Sequence, residues 1–233
     1  MKLDVCFTPN DFNAEKYSGY YAVVIDVLRA TTSIATACAN GCQCIMPVSS
    51  VEEARAIKLQ NPDVLLAGER EGLLISGFNL GNSPYEYSRE QVAGKTIVMT
   101  TTNGTVALNK AATAPKVYTM SFANASAIIY VLQQAKKDVV FVCAGSDGKF
   151  SLEDTLCAGL AVEQLHHITE LSDTAMAVQA MYRDFSGNLP NRVLQSSHAA
   201  YLCRIGFEND IALCLQQDML DVAPVFAAGV IAL

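Results

Sequence analysis

Apolar and polar residues fall in alternating blocks along this chain, and the block lengths separate strands from helices. The run "YYAVVIDVL" (20–28) is apolar almost without a break. A strand covered on both faces reads this way, whereas a half-exposed strand alternates. "TTSIATACAN" (31–40) then reads as a helix ended by Gly41, and "CQCIMPV" (42–48) as the next strand. Ser50-Val-Glu-Glu53 has the spacing of a capping box and opens a helix to about residue 60. The alternation continues with strand 63–68, strand 95–101, helix 104–113, strand 116–121, helix 124–136, strand 138–145 and a long helix 151–167. Ser83-Pro84-Tyr85-Glu86 is a second capping box with proline at the first helical position, and its helix stops near Gly94. Beyond 167 the pattern is mostly helical to about 205, with a short strand expected near 210–215.

Alternating β and α segments predict an α/β fold with a largely parallel or mixed sheet flanked by helices and right-handed crossovers. A faint echo links 22–54 to 96–127, shifted by about 72 residues, and suggests two related α/β units facing a common site. One segment breaks the pattern. "GEREGLLISGFNLGNSP" (68–84) holds four glycines and is too long for a simple connector, so it reads as a lid or binding loop.

Composition narrows the function classes. With 51% hydrophobic and 17% charged residues, the chain can bury a sizeable core and is not a disordered one. The net charge of −7 and the absence of any Lys/Arg-rich run leave no basic face for nucleic acid. The longest apolar runs are too short to span a membrane, and the N-terminus lacks a signal-peptide core, so a cytoplasmic location is expected. Among eight cysteines, Cys6, Cys143, Cys157 and Cys214 lie in apolar runs and read as reduced core residues. Cys38, Cys42 and Cys44 lack a paired C-x-x-C partner, so a metal reading has little support.

Three strand ends carry unusual polar sequences: "DVLRATTS" (26–33), "TTTNGT" (100–105) and "CAGSDGKFSLED" (143–154). Ligands of open α/β sheets bind beyond the carboxyl ends of strands, and each of these ends also opens a helix. Thr31, Thr32, Thr101, Thr102, Asn103 and Thr105 could therefore cap helices or hold an anion, with Gly104 allowing close backbone approach. Asp26, in an apolar run, needs a partner, and Arg29 could pair with it or face an anionic substrate. Glu153 and Asp154 could complement a helix dipole or bind magnesium, which takes carboxylate oxygens. Glu69 and Arg70 lie on the glycine-rich loop. Cys143 through Lys149 resembles the anion loop of cysteine phosphatases, but lysine replaces the bidentate arginine, and a packed strand-end cysteine is the simpler reading. His198, beside Ser196 and Ser197, is a polar site candidate, whereas His166 and His167 fall inside a helix. No G-x-S-x-G, G-x-x-x-x-G-K-[ST] or G-x-G-x-x-G motif occurs, and Asp26-Val-Leu is not a D-x-D acid pair.

Together these stretches resemble the 2-phosphosulfolactate phosphatase (ComB) family. The resemblance rests on "IDVLRATTS", "PVSSVEEA", "LLAGEREG", "GFNLGNSP", "GKTIVMTTTNGT", "VCAGSDGKFSLEDTLCAG" and "SSHAAYLCRIGFENDIALCLQQD", spanning 25–218. Two positions depart from the family pattern: Glu71 stands where a glycine or small polar residue is expected, and Asn79 where aspartate is usual. The resemblance implies two α/β subdomains, about 1–94 and 95–233, with the site in the cleft between them. It implies a magnesium-dependent phosphatase that hydrolyses (2R)-2-phospho-3-sulfolactate to 3-sulfolactate and phosphate, a step of coenzyme M biosynthesis or other sulfonate metabolism. On that basis Asp26, Arg29, Glu69 and Arg70 are the expected catalytic residues, and Asp26, Glu69, Glu153 and Asp154 the expected Mg²⁺ ligands. Thr31, Thr32, Asn82, Ser83, Thr101, Thr102, Asn103, Gly104, Thr105, Cys143, Gly145, Lys149 and His198 are the expected substrate contacts. Attack by water is expected, with a phospho-Asp26 intermediate as the variant. A phosphatase for another small phosphorylated acid and a non-catalytic binder of an anionic metabolite are the alternatives, and a homodimer is the expected assembly.

Overall fold

The computed structural model describes all 233 residues, Met1–Leu233. In chain order the elements are β1 (Lys2–Cys6), β2 (Tyr21–Ile25), α1 (Ala30–Ala39), β3 (Cys44–Pro47), α2 (Val51–Gln60), β4 (Leu65–Arg70), β5 (Leu73–Leu74), α3 (Arg89–Val92), β6 (Thr96–Thr100), α4 (Gly104–Ala111) and β7 (Val117–Met120). Then come α5 (Ala125–Ala135), β8 (Val139–Cys143), α6 (Leu152–Leu165), β9 (Glu170–Leu171), α7 (Asp173–Phe185), α8 (Leu189–Leu194), α9 (Ser197–Arg204), α10 (Glu208–Cys214), β10 (Val225–Ala227) and β11 (Val230–Ala232).

One mixed sheet of eleven strands runs β5-β4-β6-β3-β11-β10-β7-β2-β8-β1-β9. It contains two parallel groups. In one, β6 lies between β4 and β3; in the other, β2 lies between β7 and β8, and β1 follows β8. The hairpin β10–β11 joins the groups through antiparallel pairing to β7 and β3. Pairing interleaves the chain: β2 sits between two strands from the second half, and β6 between two from the first.

The apolar runs are explained by burial on both faces. Val23 and Ile25 of β2 join Phe141 of β8 beneath α5 to α10, whereas Ala22 and Val24 join Val140, Val142 and the residues of α1 and α4 on the opposite face. Successive strand residues point to opposite sides, so a strand buried twice has no polar position. Val98 of β6 packs with Ala54 of α2 and with Ile75 and Phe78 of the glycine-rich loop in a third cluster.

The structure moves several expected boundaries. The run 20–28 stops pairing at Ile25, because the Asp26 N–H goes to the Thr31 hydroxyl (3.0 Å) and the Val27 N–H to Asp154 (2.8 Å). The capping box expected at Ser83 does not form, because the Ser83 hydroxyl donates to Asp210 and Glu86 accepts the Gly81 N–H; a single 3₁₀ turn, Pro84–Glu86, results, and the helix proper is the four-residue α3. The strand expected near 210–215 is helix α10, where Asp210, Ile211 and Cys214 share the buried face at helical spacing. Strands β1, β5, β9, β10 and β11 complete the sheet beyond the elements read from the pattern, β5 lying within the segment read as a loop. No helix is long and apolar enough to cross a membrane.

Candidate active site

The hairpin β10–β11 sets the two parallel groups in opposite directions, yet residues just beyond the carboxyl ends of β2, β4, β6 and β8 meet around one space. There a cavity of about 730 Å³ is bounded by the strand-end turns on one side and by α9 on the other. Asp26, Arg29, Glu69, Arg70, Asn82, Thr102, Asn103 and His198 all border it, so residues far apart in sequence meet.

Asp26 and Glu69 are buried carboxylates of the cavity, and Asp26, 6% exposed, lies at the end of β2. One oxygen accepts the Ala30 N–H at the start of α1 (3.2 Å), and the other has no hydrogen-bond partner. Gly104 makes room for it: a Cβ at residue 104 would sit 2.8 Å from Asp26 Oδ2 and 2.7 Å from the Ala30 methyl. Burial, opposed in part by the Ala30 N–H and His198 and reinforced by Glu69 and Glu153, pushes the Asp26 carboxyl up to about 6.

The other expected metal ligands have different partners. Asp154 accepts the Val27 N–H (2.8 Å) and the Gly145 N–H (3.1 Å), tying the ends of β2 and β8 together. Burial, then Asp26 and Glu153, raise its carboxyl well above the usual range. Glu69 accepts the Gly72 N–H (2.8 Å) and the Thr102 N–H (2.7 Å), tying the β4–β5 turn to the end of β6. Glu153 is 1% exposed; Oε1 meets His198 Nδ1 at 2.9 Å, and Oε2 has no partner. No three His, Cys, Asp or Glu side chains converge as a metal cage. Magnesium ordinarily takes one or two protein oxygens and completes its octahedron with water and phosphate. The open oxygen of Asp26 and the unpartnered, buried Oδ1 of Asn82, from two residues that border the cavity, fit that kind of site.

The cations divide likewise. Arg29 is 2% exposed; it donates to Asp210 (2.6 Å) and to the Gly72 carbonyl (2.6 Å), with its plane 4.1 Å from the Phe207 ring centroid. Asp210 also accepts from the Ser83 hydroxyl (2.8 Å), so the loop, α1 and α10 meet at one carboxylate. Arg70 donates to the Glu69 and Thr100 carbonyls and to the Thr100 hydroxyl (2.7, 3.3 and 3.0 Å). For His198, burial presses the imidazole down, but Glu153 and then Asp26 outweigh it and hold the ring above its ordinary value.

Other expected contacts lie behind the wall. The hydroxyls of Thr31 and Thr32 donate to the carbonyls of Asp26 and Val27. Thr101 and Thr105 cap each other reciprocally at the start of α4. Ser83 is held by Asp210, and the Gly145 N–H by Asp154. Cys143 is fully buried on β8, and burial pushes its thiol well above the ordinary range, unlike a nucleophilic thiolate. Lys149 is exposed and pairs through its backbone with Ser146, outside the cavity lining. Asn79 accepts the Leu66 N–H at 2.9 Å, an acceptor's task that aspartate would perform equally, also away from the cavity. Glu71 and Gly72 form the two-residue turn between β4 and β5, both with positive φ (52° and 73°).

The cavity also includes residues that the sequence pattern did not single out. Helix α9 contributes Tyr201, Leu202 and Arg204, and the loop after β8 contributes Asp147. The i, i+3 spacing of His198, Tyr201 and Arg204 was available as a signal, but it reads equally as an ordinary amphipathic face.

Comparison with known proteins bears on this geometry. The family described as 2-phosphosulpholactate phosphatase matches residues 6–229. A protein of Symbiobacterium thermophilum named probable 2-phosphosulfolactate phosphatase is 43% identical over 225 residues, covering 94% of this chain and 97% of that protein. Proteins of the same name from Thermotoga maritima (44% over 209 residues, 90% of each chain) and Clostridium perfringens (39% over 235 residues, 98% of this chain and 95% of the relative) are similar throughout.

Proposed function

Since the chain belongs to the 2-phosphosulpholactate phosphatase family and is a phosphoric monoester hydrolase, we propose that it hydrolyses (2R)-2-phospho-3-sulfolactate with magnesium in the strand-end cavity. The observation that carries this reading is Asp26, a buried carboxylate with an open oxygen on a cavity bordered by three arginines. In the proposed complex the phosphate lies on the cavity floor beside Asp26 and the turn at Thr102 and Asn103. Magnesium would be held by Asp26 and the Asn82 side-chain oxygen, and would supply neutralisation of the phosphoryl oxygens.

The chain's own groups do the rest. Asp154 and Glu69 hold the strand ends in register, so the floor is preorganised before substrate enters. Arg70 and Arg29 supply positive field from fixed positions. Phosphoryl transfer proceeds through a loose transition state, so positioning and the fate of the leaving oxygen matter more than a strong base. Water forms the new P–O bond as the bond to the substrate's carbon-2 oxygen breaks. His198, fixed through Nδ1 by Glu153, has Nε2 as its open nitrogen; it gives its Nε2 proton to that departing oxygen, and the proton lost by the attacking water restores the imidazolium.

The test is phosphate release from 2-phosphosulfolactate, phosphoglycolate and 2-phosphoglycerate, each with magnesium and with chelator. The expected result is magnesium-dependent release, fastest from phosphosulfolactate. Undiminished release in chelator removes the metal from the proposal, and faster release from either analogue removes the substrate.

A further inference from the structure

Three guanidinium groups border the cavity, and two of them are committed within the protein. Arg29 is held by Asp210 and the Gly72 carbonyl, and Arg70 by Glu69 and Thr100. Arg204 is exposed and forms no ion pair or side-chain hydrogen bond; its near neighbour is the Tyr201 ring, 5.2 Å from the guanidinium carbon. An uncommitted arginine on the wall of an anion site can turn its full fork of donors to an external oxyanion.

The support beneath Arg204 is firm. The Tyr201 hydroxyl donates to the Glu71 carbonyl at 2.9 Å, fastening α9 to the β4–β5 turn. Gly72 lets the two surfaces meet, since a Cβ there would lie 2.8 Å from Ile205 Cδ1. Arg204 therefore stands on a braced wall, at the exposed side of a cavity whose floor is the buried Asp26.

Substrate chemistry selects which anion meets it. In 2-phosphosulfolactate the phosphate ester and the carboxylate share one carbon, and the sulfonate is carried on the next. With phosphate at the floor, the sulfonate is the group that reaches farthest towards the mouth. A sulfonate spreads one charge over three oxygens, which suits the planar, weakly hydrated guanidinium. We propose, building on the function above, that Arg204 is the specificity-determining residue that binds the sulfonate.

The experiment compares kcat/KM for 2-phosphosulfolactate and for 2-phospholactate, which lacks only the sulfonate, in the wild type, Arg204→Gln and Arg204→Lys. Loss of a charge-assisted contact to a bound oxyanion should lower kcat/KM of Arg204→Gln on phosphosulfolactate on the order of 100-fold. The ratio between the two substrates should fall at least about tenfold, with partial recovery in Arg204→Lys. Equal losses on both substrates, or no loss, would overturn the assignment. Calorimetric titration with 3-sulfolactate and with lactate separates this from the reaction itself. If the wild type cleaves neither phosphate ester, the proposed reaction fails. Weaker sulfolactate binding in Arg204→Gln would still support the sulfonate contact, and unchanged binding would refute it.

Discussion

A carboxylate's role is set by what its two oxygens touch. Asp4 is an extreme case: Oδ1 accepts from Ser172, Thr174 and the Val5 N–H, and Oδ2 from Lys16 and Tyr17, at 2.7 to 3.0 Å. Burial opposes ionisation there, but the bonds from Lys16, Thr174, Ser172 and Val5 outweigh it and hold the carboxyl well below the usual range. A depressed carboxylate contributes stability that is full above its unfolded value, near 4, and is lost as pH falls towards its folded value. Asp4→Asn should therefore cost about 1–3 kcal/mol at pH 7 in denaturant unfolding, with the gap to wild type narrowing below about pH 4. A gap constant from pH 7 to pH 3 would mean that ionisation of Asp4 contributes nothing. The same test of oxygens explains what the sequence could not separate. Asp26, Glu69, Glu153 and Asp154 are equally plausible ligands as letters. Their differences lie in backbone N–H groups brought from elsewhere in the chain: Gly145 and Val27 on Asp154, Gly72 and Thr102 on Glu69. Asp210, the partner of Arg29, carried no local signal, because 181 residues separate the pair.

At the scale of elements, the strand-to-helix turns set the shape of the floor. Threonines at the starts of α1 and α4 close these turns on themselves: Thr31 and Thr32 donate back to the carbonyls of Asp26 and Val27, and Thr101 and Thr105 bond each other, while Thr102 and Asn103 remain on the cavity. Gly104 opens α4 at the point where it crosses Asp26, and its role is steric, since no side chain fits between Asp26 Oδ2 and Ala30. Gly104→Ala should displace that carboxylate and lower kcat about 100-fold, because small misplacements at a reacting centre are costly. Circular dichroism should stay native, and unchanged kcat would show that the close approach is unimportant to turnover. The polar strand ends and the glycine-rich loop were legible from sequence as a candidate site, and they border one cavity. The tightness of the Gly104 crossing was not, because it depends on two helices meeting. Helix α9 was read as helical, but its cavity face depends on docking to the β4–β5 turn through Tyr201.

For the molecule as a whole, the α/β alternation was legible because doubly buried strands leave unbroken apolar runs. The joining of two parallel groups by the β10–β11 hairpin was not, since three-residue strands carry little pattern and their partners lie far away in sequence. This architecture gathers the carboxyl ends of four strands around a cavity and leaves one buried carboxylate with an oxygen open to it. We propose that phosphate ester hydrolysis depends on that carboxylate. The most direct measurement is phosphate release from 2-phosphosulfolactate by Asp26→Asn beside wild type, with native circular dichroism in both. Asp26→Asn should lose about 100- to 1,000-fold in kcat, the range found when a principal electrostatic group is removed. A kcat close to wild type would contradict that dependence.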